Sequence, residues 1–196
     1  MWQDADSELR HELAPEEKLI WSGQPRQGIF LRGSDAFLIP FSLMWGGFAI
    51  FWEVMAAGAL LATEERPPMG IGIIFPLFGL PFVLVGLYLI LGRFFVDARQ
   101  RAKTFYGLTN ERAVIVSGLL GRKVKSLNLR TLTDISLSEK AGGRGTISFG
   151  PAHPLASWLG GSSWPGGGMY APPSFQEIQD AKKVYDMIRE AQHKAT

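Results

Sequence analysis

The feature that most limits what this chain can become is a pair of apolar stretches, roughly residues 36–62 and 69–92, joined by the short polar segment "TEERPP". Each exceeds the ~18–20 apolar residues needed to cross a ~30 Å hydrocarbon core. From Ala36 to Phe95 the only charged side chains are Glu53, Glu64, Glu65, Arg66 and Arg93. In a chain of 196 residues, what remains is too short to bury two such helices in a soluble core. The expectation is a transmembrane hairpin: helix 36–62, an outer loop at 63–69 and a second helix at 69–95.

Residues 1–17 are acidic and polar, without the basic start and short apolar run of a cleaved signal, so the first span is expected to stay as an anchor. The chain has no cysteine, which excludes disulfides, thiolate catalysis and cysteine-bound metal. Arg26 and Arg32 precede the first span, and Arg93, Arg99, Arg101 and Lys103 follow the second, while the loop has only Arg66 beside two glutamates. Basic residues favour the cytoplasmic side. Both termini are therefore expected in the cytoplasm, with residues 1–35 as a leader and 98–196 as the main soluble part.

The leader carries four Lys/Arg against seven Asp/Glu, and residues 97–196 carry fourteen against eight. In the leader, "SELRHEL" has helical character and "KLIWSG" has strand-like β-branched and aromatic content ending in a Gly turn. The tail opens as short strands at 102–108, 112–118, 122–130, 131–139 and 146–150, separated by polar or Gly-rich turns, the spacing of an antiparallel sheet or small barrel. Residues 151–173 are rich in Gly, Pro, Ser and Trp and show no period. Beyond them Phe175, Ile178, Ala181, Val184, Tyr185 and Ile188 recur at steps of three and four, which predicts an amphipathic helix over 174–193 with Ser174 as its N-cap.

The wording of the tail adds to this pattern. "TFYGLTNERAVIVSGLLGRKVKSLNL", followed by "LTDISLSEK" and "GRGTISFG", resembles bacterial PH-like (pleckstrin-homology-like) domains attached to membrane hairpins. The shared elements are a strand ending Tyr-x-Leu-Thr, an Asn-Glu-Arg turn, an apolar strand closed by Gly and a basic strand. "EEKLIWSGQPRQG" resembles the leader that precedes the first span in such proteins. The resemblance implies an α+β membrane protein: a two-helix hairpin plus an antiparallel β domain closed by a C-terminal amphipathic helix, in a bacterial cytoplasmic membrane. It implies a scaffold or ligand-binding module and supplies no catalytic residue.

The residues themselves point the same way. His11, His153 and His193 have no ligand spacing, and "HELAP" lacks the second histidine of a zinc-protease motif. "GGRGTISFG" opens a strand and lacks the Lys-Ser/Thr and helix of a phosphate loop. No enzyme, metal, cofactor or nucleic-acid partner is expected. The best binding candidates are Arg112, Arg122, Lys123, Lys125, Arg130 and Arg144, since each basic residue near an anionic leaflet contributes about 1 kcal/mol. Arg122 and Lys123 are adjacent, so a regular strand points them to opposite faces. Trp158 and Trp164 are candidates for the membrane interface or for covering the β domain, because indoles favour both settings.

Glu53 lies near the middle of the first span, on a stripe with Ser42, Gly46, Ala49, Ala56, Ala57 and Leu60. Gly72, Gly79 and Gly86 recur every seven residues on the second span, and an antiparallel hairpin sets Gly46 against Gly86 and Glu53 against Gly79. A charged acid at mid-membrane costs about 2.5–3.5 kcal/mol on insertion scales. Glu53 is therefore expected to be neutral and to donate a hydrogen bond, either to the Leu77 carbonyl released by Pro81 or to a second protomer. The leading functional expectation is a non-enzymatic, membrane-anchored binding or scaffold protein whose partner is a protein, a peptide or an anionic lipid headgroup. The alternative is a small oligomeric transport or sensing subunit working through Glu53.

Overall fold

The computed structural model describes residues 2–62, 69–119, 121–151 and 171–195. They divide into two compact units, one formed by residues 1–29 with 97–196 and the other by residues 30–96. Trp158 and Trp164 lie outside the described residues.

The first unit contains two antiparallel sheets. Strands β1 (Leu19–Gly23), β2 (Thr104–Thr109), β3 (Arg112–Ser117) and β4 (Lys123–Asn128) form one in that order. Strands β5 (Ile135–Glu139), β6 (Gly145–Phe149) and β7 (Ser174–Ile178) form the other. Tyr106, Leu108, Ala113 and Ile115 of the first sheet and Ile147, Phe149, Phe175 and Ile178 of the second meet in one core. Phe175 is its centre, stacked on Tyr106 at 4.8 Å and set edge-on to Phe149 at 4.9 Å between ring centroids. The C-terminal helix, Ala181–Ala195, adds Ala181, Val184, Ile188 and Ala191 to this core.

The N-terminal segment is part of this unit, not a separate leader as the sequence suggested. β1 pairs with β2, with Ser22 opposite Gly107 and Gly23 opposite Tyr106. Helix α1 (Trp2–Arg10) brings Leu9 to Val114 and Val116 on the other face of the first sheet. The run Ala113–Val116 is thus apolar on both sides because both sides are covered. The β domain is discontinuous in sequence, and the apolar hairpin is the connection between β1 and β2.

A second correction concerns residues 174–193. Ser174–Ile178 is a strand and does not begin a helix; Ser174 pairs with Ser148 in β6. Phe175 and Ile178 are three apart yet both point into the core, because one extra residue bulges the strand and Glu177 adopts φ 49°. That bulge imitates the three-residue step of a helix, and the real helix starts at Ala181, seven residues after the expected start at 174. Residues 129–131 likewise form a 3₁₀ turn rather than strand, with Asn128 accepting from the Arg130 amide.

The second unit is a pair of helices. Helix α2 runs Asp35–Ala62, and helix α3 runs Met69–Leu87 through Pro76 and Pro81. A π-helical turn at Tyr88–Gly92 links α3 to α4 (Arg93–Ala102), so the second helix extends past residue 95. The segments Asp35–Ala62 and Pro76–Ala102 are long and apolar enough to cross a membrane, by length and composition. The final helix, Ala181–Ala195, is called α5 below.

Candidate functional site

The six basic candidates do not form one cluster. Arg112 stands at the start of β3 and is already engaged. Its guanidinium donates to both carboxylate oxygens of Glu17 at 2.7 Å each and to the Glu12 carbonyl at 2.8 Å. Thr109 donates to the same carboxylate at 2.7 Å, and the Ala14 amide at 3.0 Å. The Arg112 hydrogen bonds outweigh desolvation and hold the buried Glu17 carboxyl down to about 2, against an ordinary 4.5. The same contact raises the pKa of Arg112.

The next residues complete the lock. Asn110 accepts from the Lys18 amide at 2.8 Å and returns its own amide to the Lys18 carbonyl at 3.2 Å. The Thr-Asn-Glu-Arg turn and the Glu-Lys of the N-terminal segment therefore clamp one another, pinning β1 against β2. Part of what makes the sequence recognisable is this clamp, and it is a fold device. Arg112 is thus committed to Glu17 and the Glu12 carbonyl.

Arg122 is also engaged, at 3.2 Å from Glu8 and 2.9 Å from Glu12. Lys123, Lys125, Arg130 and Arg144 have no ion-pair partner among the described residues. Arg130 sits on the 3₁₀ turn after β4 and Arg144 in the β5–β6 turn of the other sheet. That leaves Lys123 and Lys125 as neighbours. They are two apart on β4 and share a face, exposed, with Lys125 opposite Ile115 and Lys123 opposite Ser117.

In the helix pair, small residues bring the backbones together. A Cβ on Gly86 would stand 2.8 Å from the Gly46 Cα, and one on Gly79 would stand 1.9 Å from Glu53 Oε2. Glu53 thus lays its carboxyl across Gly79. Its Oε2 is buried and has no hydrogen-bond partner among the described residues. Gly72 lies within α3. Beside Gly79 a groove of about 270 Å³ opens between the helices, walled by Trp45, Phe48, Trp52, Phe78 and Phe82.

Two charged features of the chain escaped the sequence reading. Asp35 and Arg93, 58 residues apart, form an ion pair at 2.7 Å with both side chains under 10% exposed. The π-helical turn explains Arg93. Its backbone amide bonds back to Tyr88 in place of Leu89, and its Nε fills the vacancy by donating to the Leu89 carbonyl at 2.9 Å. In the β unit, Arg101 is 5% exposed, pairs with Asp97, and donates to the carbonyls of Arg26 and Gly28. Local spacing announces only the Asp97–Arg101 pair, four residues apart on one helix; the contacts of Arg93 with Asp35 and of Arg101 with Arg26 and Gly28 span 58 to 75 residues. The available signal was only that apolar surroundings require a counter-charge for Arg93.

The β-sheet order, the C-terminal helix and the Thr-Asn-Glu-Arg turn agree with one family. A family model described as bacterial PH domain matches residues 54–192. No curated protein and no solved structure matches the chain. The matched stretch excludes β1, which nevertheless hydrogen-bonds to β2 inside the same sheet. PH-like domains of this kind are generally non-catalytic binding modules, which suggests a binding or scaffold role. With well over half of its length matched, the chain belongs to the bacterial PH domain family.

Proposed function

We propose that this protein is a membrane-anchored binding module. Its hairpin crosses the cytoplasmic membrane, both termini lie in the cytoplasm, and its PH-like domain engages a partner there. The observation that carries this reading is the split domain: β1 before the hairpin and β2 after it are hydrogen-bonded neighbours. The hairpin is therefore the chain connection between two neighbouring strands, so a hairpin in the membrane tethers the domain through both of them. The helices support insertion, since only 22% and 17% of their apolar windows are buried, far less than in a soluble core helix. Phe37, Met44, Phe48, Val54, Phe78 and Leu84 are all at least 60% exposed, an apolar surface that suits a hydrocarbon solvent.

Anchoring is read by thiol labelling, for which a cysteine-free chain is well suited. A cysteine replacing Glu65 should label from outside intact cells, and one replacing Lys194 only after permeabilisation. The opposite pattern refutes the topology. Binding is read by extracting the intact protein with its surrounding bilayer in copolymer discs. Proteins or lipids enriched over bulk membrane support a module; a composition equal to bulk membrane refutes it.

The alternative, a small oligomeric sensing or transport subunit, is favoured by one observation: the buried Oε2 of Glu53, which has no hydrogen-bond partner among the described residues. Substituting Glu53→Gln keeps the shape and a donor. Normal accumulation with loss of a pH-dependent function would favour that alternative over packing.

A further inference from the structure

The first sheet ends at β4, and this edge differs from the others. β1 is bulged at Ile20 and β7 near Glu177, which are common ways to protect an edge from pairing. β4 is regular, with six consecutive pairs to β3 and no shift of register. It has no second strand neighbour among the described residues, and every residue but Leu127 is exposed. β5 is also regular, but it offers Ser136, Ser138 and Glu139 where β4 offers cations.

We propose that β4 is a docking edge for an extended acidic segment of a partner protein, which adds to the sheet as a fifth strand. The proposal rests on the binding-module reading above and names its partner class and mode. In an added strand, every second side chain stands beside Lys123, Lys125 and Leu127. The fitting segment has carboxylates at two positions two residues apart and an apolar residue two further along, beside half-buried Leu127. The intervening side chains lie beside Val124, itself 40% exposed, and the polar Ser126 and Asn128.

The charges also say what does not dock. A second copy pairing β4 to β4 brings lysines against lysines, so the edge rejects self-association while accepting carboxylates. Arg122 is held by Glu8 and Glu12 and does not add to the site. An anionic headgroup would use the two ammonium groups and leave the edge amides to water, whereas a peptide strand uses both.

The test uses the full chain in detergent micelles. The probe is a labelled eight-residue peptide with one leucine and two glutamates at alternate positions and threonines between. Binding should be salt-sensitive and at least tenfold weaker to the Lys123→Glu/Lys125→Glu variant. That variant should instead prefer the peptide with lysines in place of glutamates. Register is read by disulfide trapping of Val124→Cys with peptides carrying one cysteine at successive positions. Trapping that alternates along the peptide is the mark of a strand.

Equal binding of acidic and basic peptides, or acidic binding unchanged by charge reversal, overturns the proposal. So does no peptide binding together with salt-sensitive binding to vesicles of anionic phospholipid, which would assign the lysines to the membrane. The two readings fail separately. If copolymer discs hold a partner equally well with the charge-reversed variant, the module stands and the β4 edge falls.

Discussion

The Glu17→Gln substitution offers the sharpest check on how the domain holds its N-terminal strand. Glu17 is 8% exposed, and its carboxylate accepts from Arg112, Thr109 and the Ala14 amide. Folding holds its pKa near 2 against 4.5 in the unfolded chain. At 1.36 kcal/mol per pH unit that gap corresponds to about 3 kcal/mol of stability at neutral pH. The sign follows from the depressed pKa. The contribution is complete above pH 4.5. Below that the unfolded chain takes up the proton first, and the contribution fades as pH approaches 2. Gln keeps one acceptor but leaves the Arg112 guanidinium without its paired carboxylate, with only the weaker pull of Glu111 and Glu12. Because the Arg112 side chain is 28% exposed, water compensates in part, and the expected loss stays at about 3 kcal/mol, the lower end for a broken buried pair.

The assay needs a buried reporter. Val184 is 1% exposed in α5, on the core side of the domain and distant in sequence from the clamp. A Val184→Cys background makes a single thiol in an otherwise cysteine-free chain. Its labelling by a pyridyl disulfide, which reacts in acid, gives the opening free energy across urea concentrations in detergent. The Glu17→Gln protein should be about 3 kcal/mol less stable at pH 7, and the gap should narrow between pH 4.5 and 2.5. A gap below about 1 kcal/mol at pH 7 would refute the reasoning, since that is the range of an exposed ion pair. A gap that persists unchanged into acid would also refute it, by showing that the charge of Glu17 is not what matters.

Three further outcomes follow from the same structure. Arg112→Lys should recover only part of the clamp, with stability between wild type and Glu17→Gln, because an ammonium cannot make the two-pronged contact. In the helix pair, Gly86→Ala should lower the melting temperature of the detergent-solubilised protein more than Gly79→Ala, because its new methyl would stand 2.8 Å from the Gly46 backbone, whereas at Gly79 the methyl meets the carboxyl end of Glu53, which can swing aside; a larger drop for Gly79→Ala would refute this. Asp35→Asn should cost about 3–5 kcal/mol by leaving Arg93 buried and unpaired, and adding Arg93→Met should recover most of it in the same melting assay.

The sequence reads well where one element makes its own pattern. Three glycines at seven-residue steps mark a face where another helix approaches closely, and Gly86 does lie against Gly46. The run from Arg112 to Ser117 and its turn to Lys123 mark two strands of a hairpin. Reading fails where the pattern has two sources. The three-residue step from Phe175 to Ile178 comes from a bulge, and the step from Ile178 to Ala181 crosses from strand to helix. A period count merges the two. It also fails where the partner is far away in sequence. Glu17 and Arg112 are separated by 95 residues, and Asp35 and Arg93 by 58, with the apolar hairpin between or around them.

The candidate site shows the same division, with a consequence for what family membership can tell. The residues that make this chain recognisable, Thr109, Asn110 and Arg112 with Glu17 and Lys18, are bonded to one another. They hold β1 to β2 across the inserted hairpin and have little capacity left for a ligand. A recognisable motif of this kind therefore predicts the fold and is silent about the partner. A ligand then has to meet groups outside the motif, and the edge proposed above, with Lys123 and Lys125 on β4, is such a place among the described residues. Charge reversal at Lys123 and Lys125 should accordingly leave the Val184 thiol as protected as in the wild type while changing what binds. Glu17→Gln should do the reverse, loosening the fold while leaving the β4 charges in place. The two meet at one hydrogen bond, from Arg112 to the Ser126 hydroxyl of β4 at 3.2 Å; if the two substitutions moved stability and binding together, that bond would join the clamp and the docking edge into one device.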